Sequence, residues 1–339
     1  MRLTPSITTR VPDTHLAARC GVYRMVQDNG GAVGSAGDAG SVTLVDMSLV
    51  VTDLWRYPVK SCRGQRLAAG SVEPWGLAGD RRWMIVDPGG EVVTAREHPR
   101  LVLVTPVLAA DGSIRLTGPA RPDLTVRVPL DGELVPVTVW ASKVLATLAG
   151  EAADAWLSEV AGEPVRLVYL DDPTRRRPDA AYSRDSDRVS FADGYPLLLT
   201  VESSLGALNE LIAAGPLAAE GPLPMRRFRP NVVVAGASPW AEDGWRRLRI
   251  GDVVFRSVKG CGRCVLTTID PDTAVKGKEP IATLARCRRW DGKVWFGVNL
   301  VPDPQYSGAV SATEPVGDIT VGSPVQILDQ VDDPDGPLR

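Results

Sequence analysis

Two cysteines set two residues apart hold the densest chemistry in this chain. Residues 258–272 read VKGCGRCVLTTIDPD, so Cys261 and Cys264 close a β-branched run with Arg263 between them. Such a pair can be half of a zinc site, a thiol–disulfide couple, or one metal-binding thiolate beside a structural neighbour. A four-cysteine zinc site needs a second pair, and Cys62 and Cys287 stand singly. A thioredoxin-like couple opens a helix, whereas a β-branched run follows at 265–269. Two buried cysteines in a turn remain the plain structural alternative. Arg263 tilts the reading toward function, because a guanidinium beside a thiol favours the thiolate and can bind a ligand oxygen. His15 and His98 are the only histidines, which leaves little material for a histidine-rich metal site or a histidine-based triad.

Other polar clusters surround this one in sequence: YPVKSC at 57–62, GDRRW at 79–83, TAR at 94–96 and RRFRPN at 226–231. Taken singly each has an ordinary explanation. Lys60 and Arg81 read as surface charges, 94–96 as a strand end, and 226–231 as the solvated edge of an apolar strand. Asp270, Asp272 and Thr273 hint at a cation loop but lack the glycine and terminal glutamate of an EF-hand, so a capped turn is expected. Cys62 and Cys261 are expected to be buried and without a role.

These residues need a scaffold of some size. A chain of 339 residues exceeds what one core usually organises, so two lobes are expected. A net charge of −3 and a pI near 5.6 give no general pull toward nucleic acid, and any anion site must be local. No run of 18 apolar residues is present, so a soluble protein with no transmembrane segment is expected. The five scattered cysteines and the lack of an export signal argue against a disulfide framework and for the cytoplasm. Residues 28–41, rich in Gly, Ala and Ser, make 1–47 a disordered leader, with Met47 as an alternative start.

Short β-branched runs separated by Gly/Pro turns, at 50–55, 83–87, 101–104, 124–128 and 135–139, have the spacing of an antiparallel barrel or sandwich. Asp87-Pro88-Gly89-Gly90 marks a hairpin turn. The period then changes to helical over 151–161, with Ala152, Trp156, Leu157 and Val160 inward, followed by a strand at 165–170. The charged segment 171–188 is a linker or mobile loop. Beyond it come strands at 196–201, 231–235, 253–258, 294–301 and 319–328. Helices are expected at 202–214, with Leu205, Leu208 and Leu211 inward, and at 279–289. The fold class is a β-rich α+β protein with few helices.

Read together and in this order, YPVKSC, Asp80-Arg81 with Trp83, TAR with Pro99-Arg100-Leu101, FRPN at 228–231 and CGRC with TTIDPDT resemble a family. They look like the MOSC-domain proteins that carry a MOSC N-terminal β-barrel domain, typified by the amidoxime reducing components and their bacterial relatives. The resemblance implies a β-barrel-like domain over 48–170, a linker at 171–190, a MOSC β-barrel domain over 191–329 and a tail at 330–339. It implies Mo-molybdopterin (the molybdenum cofactor), with Cys264 as metal ligand and catalytic residue. Cofactor contacts carry over to Lys60, Ser61, Arg81, Gly194, Tyr195, Arg229, Asn231, Gly262 and Arg263, the three cations Lys60, Arg81 and Arg229 on the cofactor's phosphate and remote from the metal. No pyridoxal phosphate is expected. The implied reaction reduces a small N-hydroxylated substrate, such as an amidoxime or N-hydroxylated base, to the parent compound and water. Because the chain ends 11 residues beyond Leu328, electrons are expected from a separate protein: a ferredoxin, a flavin reductase or a cytochrome b5-like donor. The alternative is a sulfur carrier or cofactor-maturation protein using Cys264, and the plainest is a cofactor-free structural protein. The cofactor should sit where the lobes meet.

Overall fold

Valine- and leucine-rich strands that lie buried on both faces tell where the centre of the fold is. Leu197–Val201 is buried at all five positions, and Val232–Ala235 beside it at three of four. These two run parallel, and a parallel pair needs a crossover, here supplied by helix α2 (Glu202–Ala213) once the preceding helix α1 (Glu151–Ala161) has been counted. The computed structural model describes residues 48–307, 313–332 and 334–339. The leader expected over 1–47, and the alternative start at Met47, lie outside the described residues.

Nine strands make the main sheet, whose order is Val325–Gln330, Trp245–Ile250, Val253–Arg263, Lys293–Pro302, Leu197–Val201, Val232–Ala235, Val50–Arg56 and Gln65–Leu67, with Arg289–Trp290 paired to Lys293–Pro302. Val50–Arg56, from the first expected lobe, is thus hydrogen-bonded into the sheet of the second, and Val50 also bridges to Pro324. Ala69–Glu73 likewise pairs with Gly317–Thr320. Met47–Arg339 form one compact unit. A four-stranded sheet, ordered Trp83–Val86, Arg166–Tyr169, Ser142–Leu148 and Leu134–Val139, stands apart with its own core. A third core gathers α2, Phe228, Phe296 and a short helix α3 (Ile281–Cys287).

Several local expectations change. Residues 101–103 lie in a 3-10 helix, Pro99–Leu103, rather than a strand: Pro99 fixes the first turn, and Leu101 and Val102 turn into the core locally. α1 buries Ala153, Leu157 and Val160, so its stripe is shifted by one residue from Ala152. α2 buries Ser204, Leu208 and Ile212, a strict i,i+4 stripe, with Leu205 and Leu211 on its flanks. The expected strand at 319–328 is two, Gly317–Thr320 and Val325–Gln330, divided at Gly322, whose φ of +90° favours glycine. Trp245–Ile250 is an additional strand. The turn after Asp87 forms as expected, Gly90 donating its N–H to the Asp87 carbonyl at 3.0 Å. The segment 171–190 is irregular yet anchored: buried Arg176 donates to the carbonyls of Ser190, Ala192 and Asp193.

Candidate active site

The strand Val253–Arg263 carries the cysteine pair to its end, and a 3-10 turn, Val265–Thr268, follows where a β-branched run was expected to extend. Cys264, just before that turn, lines a cavity of about 850 Å³ together with main-sheet residues such as Leu197, Leu198 and Asn299 and the loop residue Trp140. The volume lies within the range of ordinary small-molecule sites, about 300–1,000 Å³. All ten residues expected at the site, Lys60, Ser61, Arg81, Gly194, Tyr195, Arg229, Asn231, Gly262, Arg263 and Cys264, line it. Eight lysines and arginines line it against only Asp179 and Asp193, so a chain of net charge −3 concentrates positive potential here.

At the thiol end, Arg96 Nε donates to Cys264 Sγ at 3.2 Å and its Nη2 to Asp193 at 3.0 Å. Asp193 also accepts from Lys60 Nζ, whose second partner is the Phe191 carbonyl at 2.8 Å. Lys60 is therefore joined to Cys264 through two side chains, Asp193 and Arg96. Lys60 exposes 5 % of its side chain and Asp193 59 %, so burial weighs chiefly on the lysine. It pushes Lys60 down to about 8 against the opposing pull of Asp193. Burial would raise the Asp193 carboxyl, but Lys60 and Arg96 outweigh it and hold the group well below the usual carboxylate range. Beside Cys264, Arg263 Nη1 donates to Cys261 Sγ at 2.7 Å and Nη2 to the Phe228 carbonyl at 2.7 Å. Cys261 was expected to be buried without a role; it lines the cavity instead. Burial raises its thiol despite Arg263. Cys62 is fully buried and its thiol is pushed up to about 12 by burial.

At the opposite end, the Arg81 and Arg229 guanidiniums stack on the Tyr57 ring at 4.2 and 4.3 Å. Arg81 donates to Asp80 at 2.5 Å and to Asn231 Oδ1 at 2.9 Å, and Arg229 to the Cys62 carbonyl at 2.7 Å. Asn231 Oδ1 also accepts from the Leu198 N–H, while Nδ2 donates to the Trp55 carbonyl. Ser61, Arg81 and Arg229 all hold left-handed backbone, φ +70°, +47° and +56°. Non-glycine residues adopt that region rarely, and they cluster at functional sites.

Three features show that the cavity fits a polar, anionic group. The Tyr195 hydroxyl and Arg263 Nε are buried yet have no hydrogen-bond partner, and a Cβ added to Gly194 would meet nothing within 4 Å. Cys264 adds a soft ligand suited to molybdenum. Among the described residues no group of three or more His, Cys, Asp or Glu side chains could hold a metal. Arg96, Asp193 and Trp140 complete the wall although the sequence reading gave them no role; TAR at 94–96 was the available signal for Arg96.

The fold and site define a two-part MOSC protein: residues 48–164 match the MOSC N-terminal beta barrel domain and 186–326 the MOSC domain. Along most of its length the chain is similar to mitochondrial amidoxime-reducing component 1 of Homo sapiens, 35% identical over 83% of each chain. It is 32% identical to mitochondrial amidoxime reducing component 2 of the same organism, over 81% of this chain and 82% of that one. A molybdenum cofactor sulfurase of Oryza sativa is 33% identical over 72% of this chain but 31% of its own length. The chain belongs to the MOSC-domain family of the amidoxime-reducing components.

Proposed function

We propose that this protein is a molybdenum-cofactor-dependent reductase of N-hydroxylated compounds, amidoximes foremost. The observation that carries the reading is the Cys264 thiol in the wall of a cationic cavity, in a chain similar to an amidoxime-reducing component over 83% of its length. When bound, the cofactor supplies a metal that cycles by two electrons; the overall change adds two electrons and two protons to an N–OH group and yields N–H and water. Cys264 provides the protein ligand. Arg96, tied to both Cys264 and Asp193, fixes that thiol and lines the approach to it. Arg263, Tyr195 and Gly194 supply free donors and space for the pterin and its phosphate, with Lys60, Ser61, Arg81, Arg229, Asn231 and Gly262 around them.

Electrons come from a separate donor protein, a ferredoxin, flavin reductase or cytochrome b5-like carrier. Among the described residues no helix is long and apolar enough to cross a membrane, and we assign the protein to the cytoplasm. The test is molybdenum analysis of protein produced with and without molybdopterin synthesis, followed by benzamidoxime reduction with a chemical reductant. Near-stoichiometric metal with turnover supports the reductase. Metal without turnover on any N-hydroxylated substrate favours a sulfur-carrying or maturation role for Cys264.

A further inference from the structure

We propose that Trp140 is a specificity-determining residue that stacks on flat, conjugated substrates at the mouth of the cavity, an inference that rests on the reductase reading. Trp140 and Ala141 form the two-residue loop between Leu134–Val139 and Ser142–Leu148, with Val139 and Ser142 paired across it. Trp140 has φ +55°. A two-residue hairpin loop with a positive φ at its first position is where glycine is preferred, and a bulky residue there is strained. Folding of the hairpin therefore gives no reason for an indole at this place. Nor does packing: Trp140 belongs to none of the apolar clusters and is 44 % exposed. Of the large apolar side chains exposed among the described residues, it alone lines the cavity.

What the ring does touch is informative. The Arg96 guanidinium stands over it at 4.4 Å and the Lys60 ammonium at 5.4 Å, and Arg96 also contacts Cys264 Sγ. The indole is thus one side chain away from the metal-ligand position. It already carries a planar, nitrogen-rich cation, the chemical likeness of an amidine or guanidine, and it keeps open surface toward the cavity. An indole over such a group contributes by quadrupole attraction and by burial of the substrate's flat face. Strain retained at a residue that faces a cavity points to a ligand.

The test compares parent, Trp140→Gly and Trp140→Phe as molybdenum-loaded proteins, on benzamidoxime and on cyclohexanecarboxamidoxime, which keeps the amidoxime but lacks the flat ring. With Trp140→Gly, KM for benzamidoxime should rise about tenfold and KM for the cyclohexyl compound about twofold, the scale of a lost aromatic contact. Trp140→Phe should restore most of the difference. Melting temperature should be unchanged or raised in Trp140→Gly, because glycine relieves the turn. Calorimetric binding of both compounds to the oxidised proteins gives the same comparison without turnover. Binding that depends on Trp140, in a protein that reduces neither compound, would sink the reductase reading and keep the stacking. Equal binding of the two compounds by parent and variant would overturn the stacking, and a fall in molybdenum content would assign Trp140 to the cofactor instead.

Discussion

The two ends of the cavity use the same residue types in opposite ways. At the thiol end, Arg96 and Lys60 meet Cys264 and the cavity-facing carboxylate of Asp193, so their charges face the space a ligand would fill. At the tyrosine end, Arg81, Arg229 and Asn231 turn to backbone carbonyls, to Asp80 and to the Tyr57 ring. The first arrangement borders the cavity; the second holds residues 55–81 against residues 198–231. A positive side chain on a cavity wall is therefore no guide by itself to whether it serves the ligand or the seam.

The sharpest test removes Cys264, the metal ligand of the proposed function. Cys264→Ser should lose essentially all molybdenum and N-reductive activity while keeping its unfolding profile, because an alcohol is a hard, poorly ionised ligand; Cys261→Ser should keep most of both, as metal analysis would show. Next comes the seam. Asn231→Ala strips partners from the Leu198 N–H, the Trp55 carbonyl and Arg81, and should cost about 3 kcal/mol in denaturant unfolding, since each buried group left unpaired costs roughly 1–3 kcal/mol. A loss below about 1 kcal/mol would dissolve the distinction between the ends.

Lys60 gives a pH test. An unfolded lysine titrates near 10.4 and the folded one near 8. Between those values the unfolded chain binds the extra proton, so this group makes stability rise with pH across that window. Parent minus Lys60→Met, measured by denaturant unfolding from pH 7.5 to 10.5, should isolate a rise of about 1 to 3 kcal/mol; a difference that falls or stays flat would show that Asp193 dominates over burial. The smallest effect is expected at Arg96→Gln, under about 1 kcal/mol of stability, as for a partly open ion pair.

The cysteine, the cations and the FRPN segment became legible through the family that their motifs resemble when taken in order, since singly the cations and the FRPN segment read as ordinary charges or a strand edge, and the cavity gathers Lys60, Arg81, Phe228, Arg229, Asn231 and Cys264. The sequence did not reveal Asp193 or Trp140. A single aspartate beside Gly194 resembles any turn residue, and a tryptophan in a two-residue loop has no periodic neighbours to betray its direction. The strand Trp245–Ile250 escaped for a related reason: three of its six residues are arginine, and irregular pairing near Arg247 breaks the alternation that a strand reading depends on. Pro99–Leu103 shows the converse, an apolar run with β-like composition that proline turned into a helix. The shared sheet was also invisible, because strand pairing across some 180 residues leaves no local trace.

That shared sheet has a consequence for synthesis on the ribosome. Val50–Arg56 is among the first described segments to be made, but its antiparallel partner, Val232–Ala235, emerges about 180 residues later, and Pro324, which bridges to Val50, later still. Chain growth at roughly 5–20 residues per second leaves this strand without its neighbour for on the order of ten seconds or more. During that interval the edge that later meets Val232–Ala235 is open to other chains, while Gln65–Leu67, made soon after, pairs with the other edge. A variant that slows elongation before residue 235 should therefore lower the yield of folded protein without altering the stability of the molecules that do fold.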